Sequence, residues 1–190
     1  MYKQVLALAI VLCAGTSLAG DANVSGLAST CFSCHGINGV SVGQTMPNLA
    51  GQNAEYLQRV MLEQKRDARY SSIMGRLLKT YSDEEIIQLA GYFAALPWVA
   101  ATAEPELRLV NAGRQTMKRL CQNCHGPNGN KTENTPRLAG QWPDYLALEA
   151  MKYTDPTFHR NKPSERMAEK IGHLTVEEVK AVSHYLGTRK

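Results

Sequence analysis

The sequence predicts an all-α chain built from two tandem copies of one small unit. Three observations predict it. First, three segments recur in the same order: CHGINGV around His35 returns as CHGPNGN around His125 at an offset of 90 residues, MPNLAGQNAEYL (46–57) returns as TPRLAGQWPDYL (135–146) at 89, and SDEEIIQLAGYF (82–93) returns as TVEEVKAVSHYL (175–186) at 93. Collinear repeats with one small insertion mean a duplicated unit. Second, both copies of the third segment open on a capping box, Ser82 with Glu85 and Thr175 with Glu178, followed by apolar residues at helical spacing: Ile86, Leu89, Ala90 and Phe93, then Val179, Val182 and Leu186. Third, no run alternates at period two, which removes the usual signal for strands.

Taken in order, the chain divides into four parts. Residues 1–20 read as a secretory leader: Lys3 precedes an apolar run from Val5 to Gly15, too short to span a bilayer, and small residues at Ser17 and Ala19 favour cleavage after Ala19 or Gly20. Cys13 lies inside this leader, and Leu12 before it does not suit a lipoprotein signal. Residues 21–96 form the first unit, predicted as helix, cysteine loop, middle helix, ligand loop and final helix. Residues 97–107, PWVAATAEPEL, have a proline near each end and no helical period and are predicted as a linker. Residues 108–190 repeat the unit.

Each unit carries one Cys-x-x-Cys-His: Cys31, Cys34 and His35, then Cys121, Cys124 and His125. One helical turn sets two thiols on one face, where they can add to the two vinyl groups of a haem, and the next histidine reaches the iron. A zinc site would draw the two pairs together in sequence, but they stand 90 residues apart, each with its own histidine. A thioredoxin-like dithiol needs no such histidine and sits in a βαβ setting absent here. With the leader removed, every cysteine belongs to a haem motif, leaving none for a disulfide or a nucleophile. The sequence thus predicts two covalent haem c groups. Units this small bury little apolar surface alone, so the haem completes each core. Export agrees, because haem c is attached outside the bacterial inner membrane, and a periplasmic location is expected with no further membrane span.

The sixth iron ligand separates a carrier from a catalyst. Repeat register selects Met74 and Met167, which stand 93 residues apart, the offset that aligns the final helices. They fall in the predicted ligand loops, 39 and 42 residues past the histidines. Met46 meets Thr135 and Met61 meets Ala150, so these, with Met117 and Met151, are read as core or surface. His159, His173 and His184 have no counterparts in the first unit and are read likewise. Pro47 and Pro136, with the LAGQ after each, are expected to shape a loop over one haem face. Tyr56 and Tyr145 also repeat; their hydroxyls either meet haem propionates or only pack. Arg76 and Arg137 are candidate propionate partners. No catalytic residue is assigned.

Charge is uneven. The formal net charge is +4, with six basic and seven acidic residues in 20–100 against fourteen and ten in 101–190. Two haems add four propionates, so the excess is no argument for nucleic acid. It is either a solvated basic face on the second unit or an electrostatic guide for docking.

The duplicated unit with PNLAGQ and RLAGQ resembles the diheme cytochrome c4 family and the related cytochrome subunit of flavocytochrome c sulfide dehydrogenase, over essentially the whole chain after the leader. SSIMGRLLKTYS (71–82) and LAGQWPDYL (138–146) lean toward the sulfide dehydrogenase subunit, whereas GPNGNKTENTPRLAGQ is as close to cytochrome c4. The resemblance implies iron ligation by His35 with Met74 and by His125 with Met167. It implies electron transfer from a periplasmic flavoprotein carrying FAD. The alternative it implies is a carrier serving a respiratory complex or terminal oxidase. A third possibility, a diheme enzyme such as a thiosulfate dehydrogenase or peroxidase, needs a labile sixth ligand, which two aligned methionines disfavour.

Overall fold

The computed structural model describes residues 19–104, 106–133, 135–155 and 162–190; the predicted leader through residue 18 and His159 lie outside them. The described residues are helical and contain no strand. The first unit comprises α1 (Ala19–Ser29), α2 (Phe32–His35), α3 (Ala54–Lys65), α4 (Met74–Leu78) and α5 (Asp83–Ala95). The second comprises α6 (Leu107–Thr116), which runs through a π-helical segment (Met117–Cys121) into α7 (Gln122–His125), then α8 (Pro143–Met151), α9 (Lys162–Ile171) and α10 (Val176–Gly187).

Both capping boxes form. Ser82 Oγ accepts from Glu85 N at 3.1 Å and Glu85 Oε2 accepts from Ser82 N at 2.7 Å; Thr175 and Glu178 repeat the pair at 3.2 and 3.1 Å. These bonds satisfy amide donors that the first helical turn otherwise leaves free. The final helices then bury the apolar stripes read from the sequence: Ile86, Leu89, Ala90 and Phe93 on α5, Val179, Val182 and Leu186 on α10. The N-terminal helix of each unit packs across its final helix, α1 on α5 and α6 on α10. The second crossing is close enough to require glycine at 113, where a Cβ would lie 2.0 Å from Ala181 O.

The two units meet along their LAGQ segments in a pseudo-two-fold seam. Gln141 Nε2 donates to Asn48 O at 3.0 Å and its Oε1 accepts from Asn48 N at 2.9 Å. In mirror fashion Gln52 Nε2 donates to Arg137 O at 3.0 Å and its Oε1 accepts from Arg137 N at 2.7 Å. Asn48 and Arg137 occupy the same repeat position, as do the two glutamines, so each unit grips the other by the same handle. Asn48 Nδ2 donates to Val99 O, Trp142 Nε1 to Ser41 O, and Asn53 Nδ2 to Thr132 O, at 2.9, 3.1 and 2.9 Å. The glycine of the first LAGQ has φ +66° and sits against the connecting segment, where a Cβ would lie 2.6 Å from Trp98 N. Left-handed backbone plus this close approach requires glycine there.

Candidate haem sites

In both Cys-x-x-Cys-His turns the backbone is a single helical turn closed by Gly36 or Gly126 at positive φ. Of the four cysteines, Cys31 and Cys121 are half-buried and Cys34 and Cys124 exposed. Before haem attachment, burial raises the thiol pKa of Cys31 and pushes that of Cys121 up to about 11. Both histidines are buried, 6% and 4% exposed. Burial lowers their pKa, partly opposed by the carbonyls of Pro47 and Pro136, so each imidazole is held in the neutral, ligating form. His35 Nδ1 lies 2.9 Å from Pro47 O. Because a carbonyl can only accept, Nδ1 carries the proton and Nε2 is left for iron. In the second unit His125 Nδ1 feels the Pro136 carbonyl without the alignment of a full hydrogen bond, a looser copy of the first.

The residues present fit a haem. Two thiols beside a buried histidine would supply attachment and one axial ligand in each unit, with the tautomer fixed by a hydrogen bond in the first. At the seam the Arg137 guanidinium lies 4.9 Å from the centre of the Trp98 ring, and Arg137 Nε and Trp98 Nε1 are both buried without an acceptor. Burial lowers the Arg137 pKa, and among the described residues no anion offsets it. Two unmet donors beside an uncompensated cation are the chemistry that a propionate carboxylate satisfies. Arg76, the other candidate, is exposed on α4.

The methionines stand differently from the expectation of ligand loops. Met74 is the first residue of α4, half-buried, with Gly75 N donating to Ser71 Oγ at 3.0 Å just beyond it. Met167 lies inside the ten-residue α9, because KPSERMAEKI is rich in helix formers and places Met167 and Ile171 on one face. That face packs Met167 against the buried cluster of Ala147, Ile171, Leu174 and Val179, and α9 contacts the Met117–Cys121 segment that leads into the second haem turn. Met61, by contrast, packs against the first core of Ala28, Leu57, Leu89, Ala90 and Phe93, and Met117 is fully buried. His173 is exposed and His184 is half-buried with Nδ1 unpartnered.

The repeated tyrosines belong to a buried charge cluster that sequence reading missed. Arg69, 5% exposed, forms an ion pair from Nη2 to Glu149 Oε2 of the other unit at 3.0 Å. Tyr56, Tyr145 and Tyr153 surround the pair. Burial disfavours the Arg69 cation, but the surrounding tyrosines and Glu149 outweigh it and hold its pKa above the ordinary value. Tyr56 is half-buried as a residue, but its phenolic end is enclosed, and burial pushes its pKa up to about 12. A phenol in the unfolded chain ionises near 10. The folded state therefore keeps a proton that the unfolded state loses. Stability from this group is complete below pH 10 and declines as the pH rises toward 12. Melting temperature should fall over that window, and Tyr56→Phe should flatten the fall; an equal slope in the variant would remove Tyr56 as its source.

Comparison with known proteins defines the class first. The cytochrome c family pattern matches residues 22–96 and again 110–190, so each unit is a cytochrome c domain. The chain is 32% identical over 181 residues to a cytochrome c4 of Thiocapsa roseopersicina, covering 90% of this chain and 92% of that one. It superimposes on reduced cytochrome c4 from Pseudomonas stutzeri with a TM-score of 0.80 at 23% identity, over 93% of this chain and all of the other. The chain belongs to the cytochrome c family, in its two-domain, diheme cytochrome c4 form. It is an electron carrier with two covalently bound haem c groups. Two further relatives are named for their partners: a thiosulfate dehydrogenase electron acceptor of Stutzerimonas stutzeri, 30% identical over 87% of this chain and 81% of its own length, and a cytochrome subunit of sulfide dehydrogenase of Chlorobaculum tepidum, 37% identical over only 37% of this chain and 63% of its own. Among the described residues no helix is long and apolar enough to cross a membrane.

Proposed function

We propose that this carrier is the periplasmic, electron-accepting cytochrome of a dehydrogenase that oxidises reduced sulfur, with a flavoprotein sulfide dehydrogenase as its donor. The observation that carries this reading is an apolar surface on the first domain. Ile73, just before α4, and Leu77 within it are 55% and 49% exposed and four residues apart, while Leu78 is buried. Tyr70, 61% exposed, precedes them. An exposed apolar cluster beside Met74 suits a stable partner better than a transient encounter. The likeness to the sulfide dehydrogenase subunit supports the same reading.

Cys31 and Cys34 attach the first haem and Cys121 and Cys124 the second. His35 with Met74, and His125 with Met167, close the two irons. Bound haem supplies a one-electron centre; the chain supplies fixed ligands, so that little reorganises on electron transfer, and a seam that holds the two centres in one relative position. Electrons enter by the first domain and leave by the more basic second. A carrier that feeds a terminal oxidase is the second reading, favoured by the full-length likeness to cytochromes c4.

Affinity purification of the holo-protein from its native periplasm separates the two. A co-eluting flavoprotein that reduces both haems on addition of sulfide establishes the first reading. A lone cytochrome, reduced by a quinol-oxidising complex and reoxidised by a terminal oxidase, replaces it with the second. A haemprotein that transfers electrons from thiosulfate instead keeps the sulfur pathway but removes the flavoprotein.

A further inference from the structure

The two LAGQ glutamines do more than join the domains, because each grips a peptide group that already serves the other domain's haem site. The Pro47–Asn48 peptide is one planar, conjugated unit. Its carbonyl accepts from His35 Nδ1 at 2.9 Å, and its amide N–H donates to Gln141 Oε1 at 2.9 Å. The Pro136–Arg137 peptide repeats the outer half of the arrangement, its amide donating to Gln52 Oε1 at 2.7 Å, while its carbonyl lies near His125 Nδ1 without forming a full hydrogen bond to it. We propose that Gln141 tunes the first haem through His35 and that Gln52 tunes the second through His125, a crossed relay in which each domain sets the electron donation of the other's proximal ligand.

The physical basis is amide conjugation. When a peptide N–H is hydrogen-bonded, electron density moves toward its oxygen, and that oxygen becomes a better acceptor. A stronger acceptor draws the imidazole Nδ1 proton further, giving the ring more imidazolate character. Such a ring donates more strongly to iron and favours the oxidised state. The glutamines are placed for this and little else. Gln141 is 2% and Gln52 5% exposed. Each side-chain amide is oriented without ambiguity, because its Nε2 donates to a carbonyl of the gripped residue while its Oε1 also accepts the next amide of its own chain, Trp142 N at 3.1 Å and Asn53 N at 2.9 Å. Their role is positional and electrostatic, since neither touches the iron's coordination sphere. The inference rests on His35 and His125 as iron ligands and is independent of the electron donor.

A simple clasp predicts something different. If the glutamines only hold the seam, removing either loosens both haem environments alike. The relay predicts a crossed response, and its second arm should be weaker, because the His125 contact is the looser one.

The test is a redox titration of Gln141→Met and Gln52→Met holo-proteins, with each haem resolved by its own band of hyperfine-shifted haem-methyl NMR signals. Gln141→Met is expected to raise the midpoint of the first haem, equivalent to about a two- to five-fold change in its reduction equilibrium, and to shift its haem-methyl signals, leaving the second haem in place. Gln52→Met should do the same to the second haem, by less. If the substitution prevents folding, Gln141→Asn keeps an amide in the seam but is one carbon too short to reach Asn48 N, and the same crossed shift is expected. Equal movement of both haems, movement of the haem in the glutamine's own domain, or no movement overturns the relay. A first-haem band that survives unchanged in His35→Gln would instead show that His35 is not the ligand, which separates failure of the ligand assignment from failure of the relay.

Discussion

A Met74→Ala holo-protein is expected to bind carbon monoxide at its reduced first haem and to lose that haem's high potential, by on the order of 0.1 V, while the second haem stays closed to carbon monoxide and keeps its potential. Methionine sulfur is a weak donor that favours ferrous iron, so its loss lowers the potential and leaves a coordination position for an external ligand. Met74 is suited to removal because it opens α4 and does not belong to the buried core of the first unit, so the change should cost little stability. Met167→Ala should act in the same way on the second haem, but with a stability loss, because Met167 packs against the buried cluster of Ala147, Ile171, Leu174 and Val179. The competing ligand in the first unit is Met61, which packs on the same buried core as Cys31. If Met61→Ala opens the first haem and Met74→Ala does not, the repeat-register assignment is wrong.

What the sequence disclosed followed from local and repeated signals. The capping boxes at Ser82 and Thr175 and the apolar stripes behind them are short-range patterns, and the final helices form as those patterns require. The two haem turns are contiguous in sequence, so spacing alone revealed them. The placement of Met167 was harder. Register marked the residue, but the ten-residue helix around it has no cognate in the first unit, where α4 is a single short turn. The seam was hidden because its contacts join residues far apart in sequence: Asn48 with Gln141, Gln52 with Arg137, Arg69 with Glu149. No periodicity reports such pairs. One clue was available: a glutamine closing an apolar LAG run in both units is a polar group where burial is expected, and a buried amide must find partners. The sequence assigns LAGQ to a loop over one haem face, and the partners of its glutamine are the backbone of the opposite domain.

Glu149→Leu is expected to destabilise the holo-protein by about 3–5 kcal/mol, more than Arg69→Met, although the two residues form one ion pair. The difference lies in what each leaves behind. Glu149 is one-fifth exposed and has a second cation, Lys152, against its other oxygen, so losing Arg69 leaves it paired. Arg69 is 5% exposed, its Nε already lacks an acceptor, and its remaining polar neighbours are tyrosines. Without Glu149 a full positive charge stays buried with no carboxylate, the costly case. The double substitution Arg69→Met with Glu149→Leu should therefore recover much of the loss, since two apolar side chains can fill the volume without a stranded charge. Denaturant unfolding of the three variants, haems attached, measures this as a double-mutant cycle. Equal losses for the two single changes, or strict additivity in the double, would mean that the pair is not the electrostatic lock between the domains that its geometry indicates.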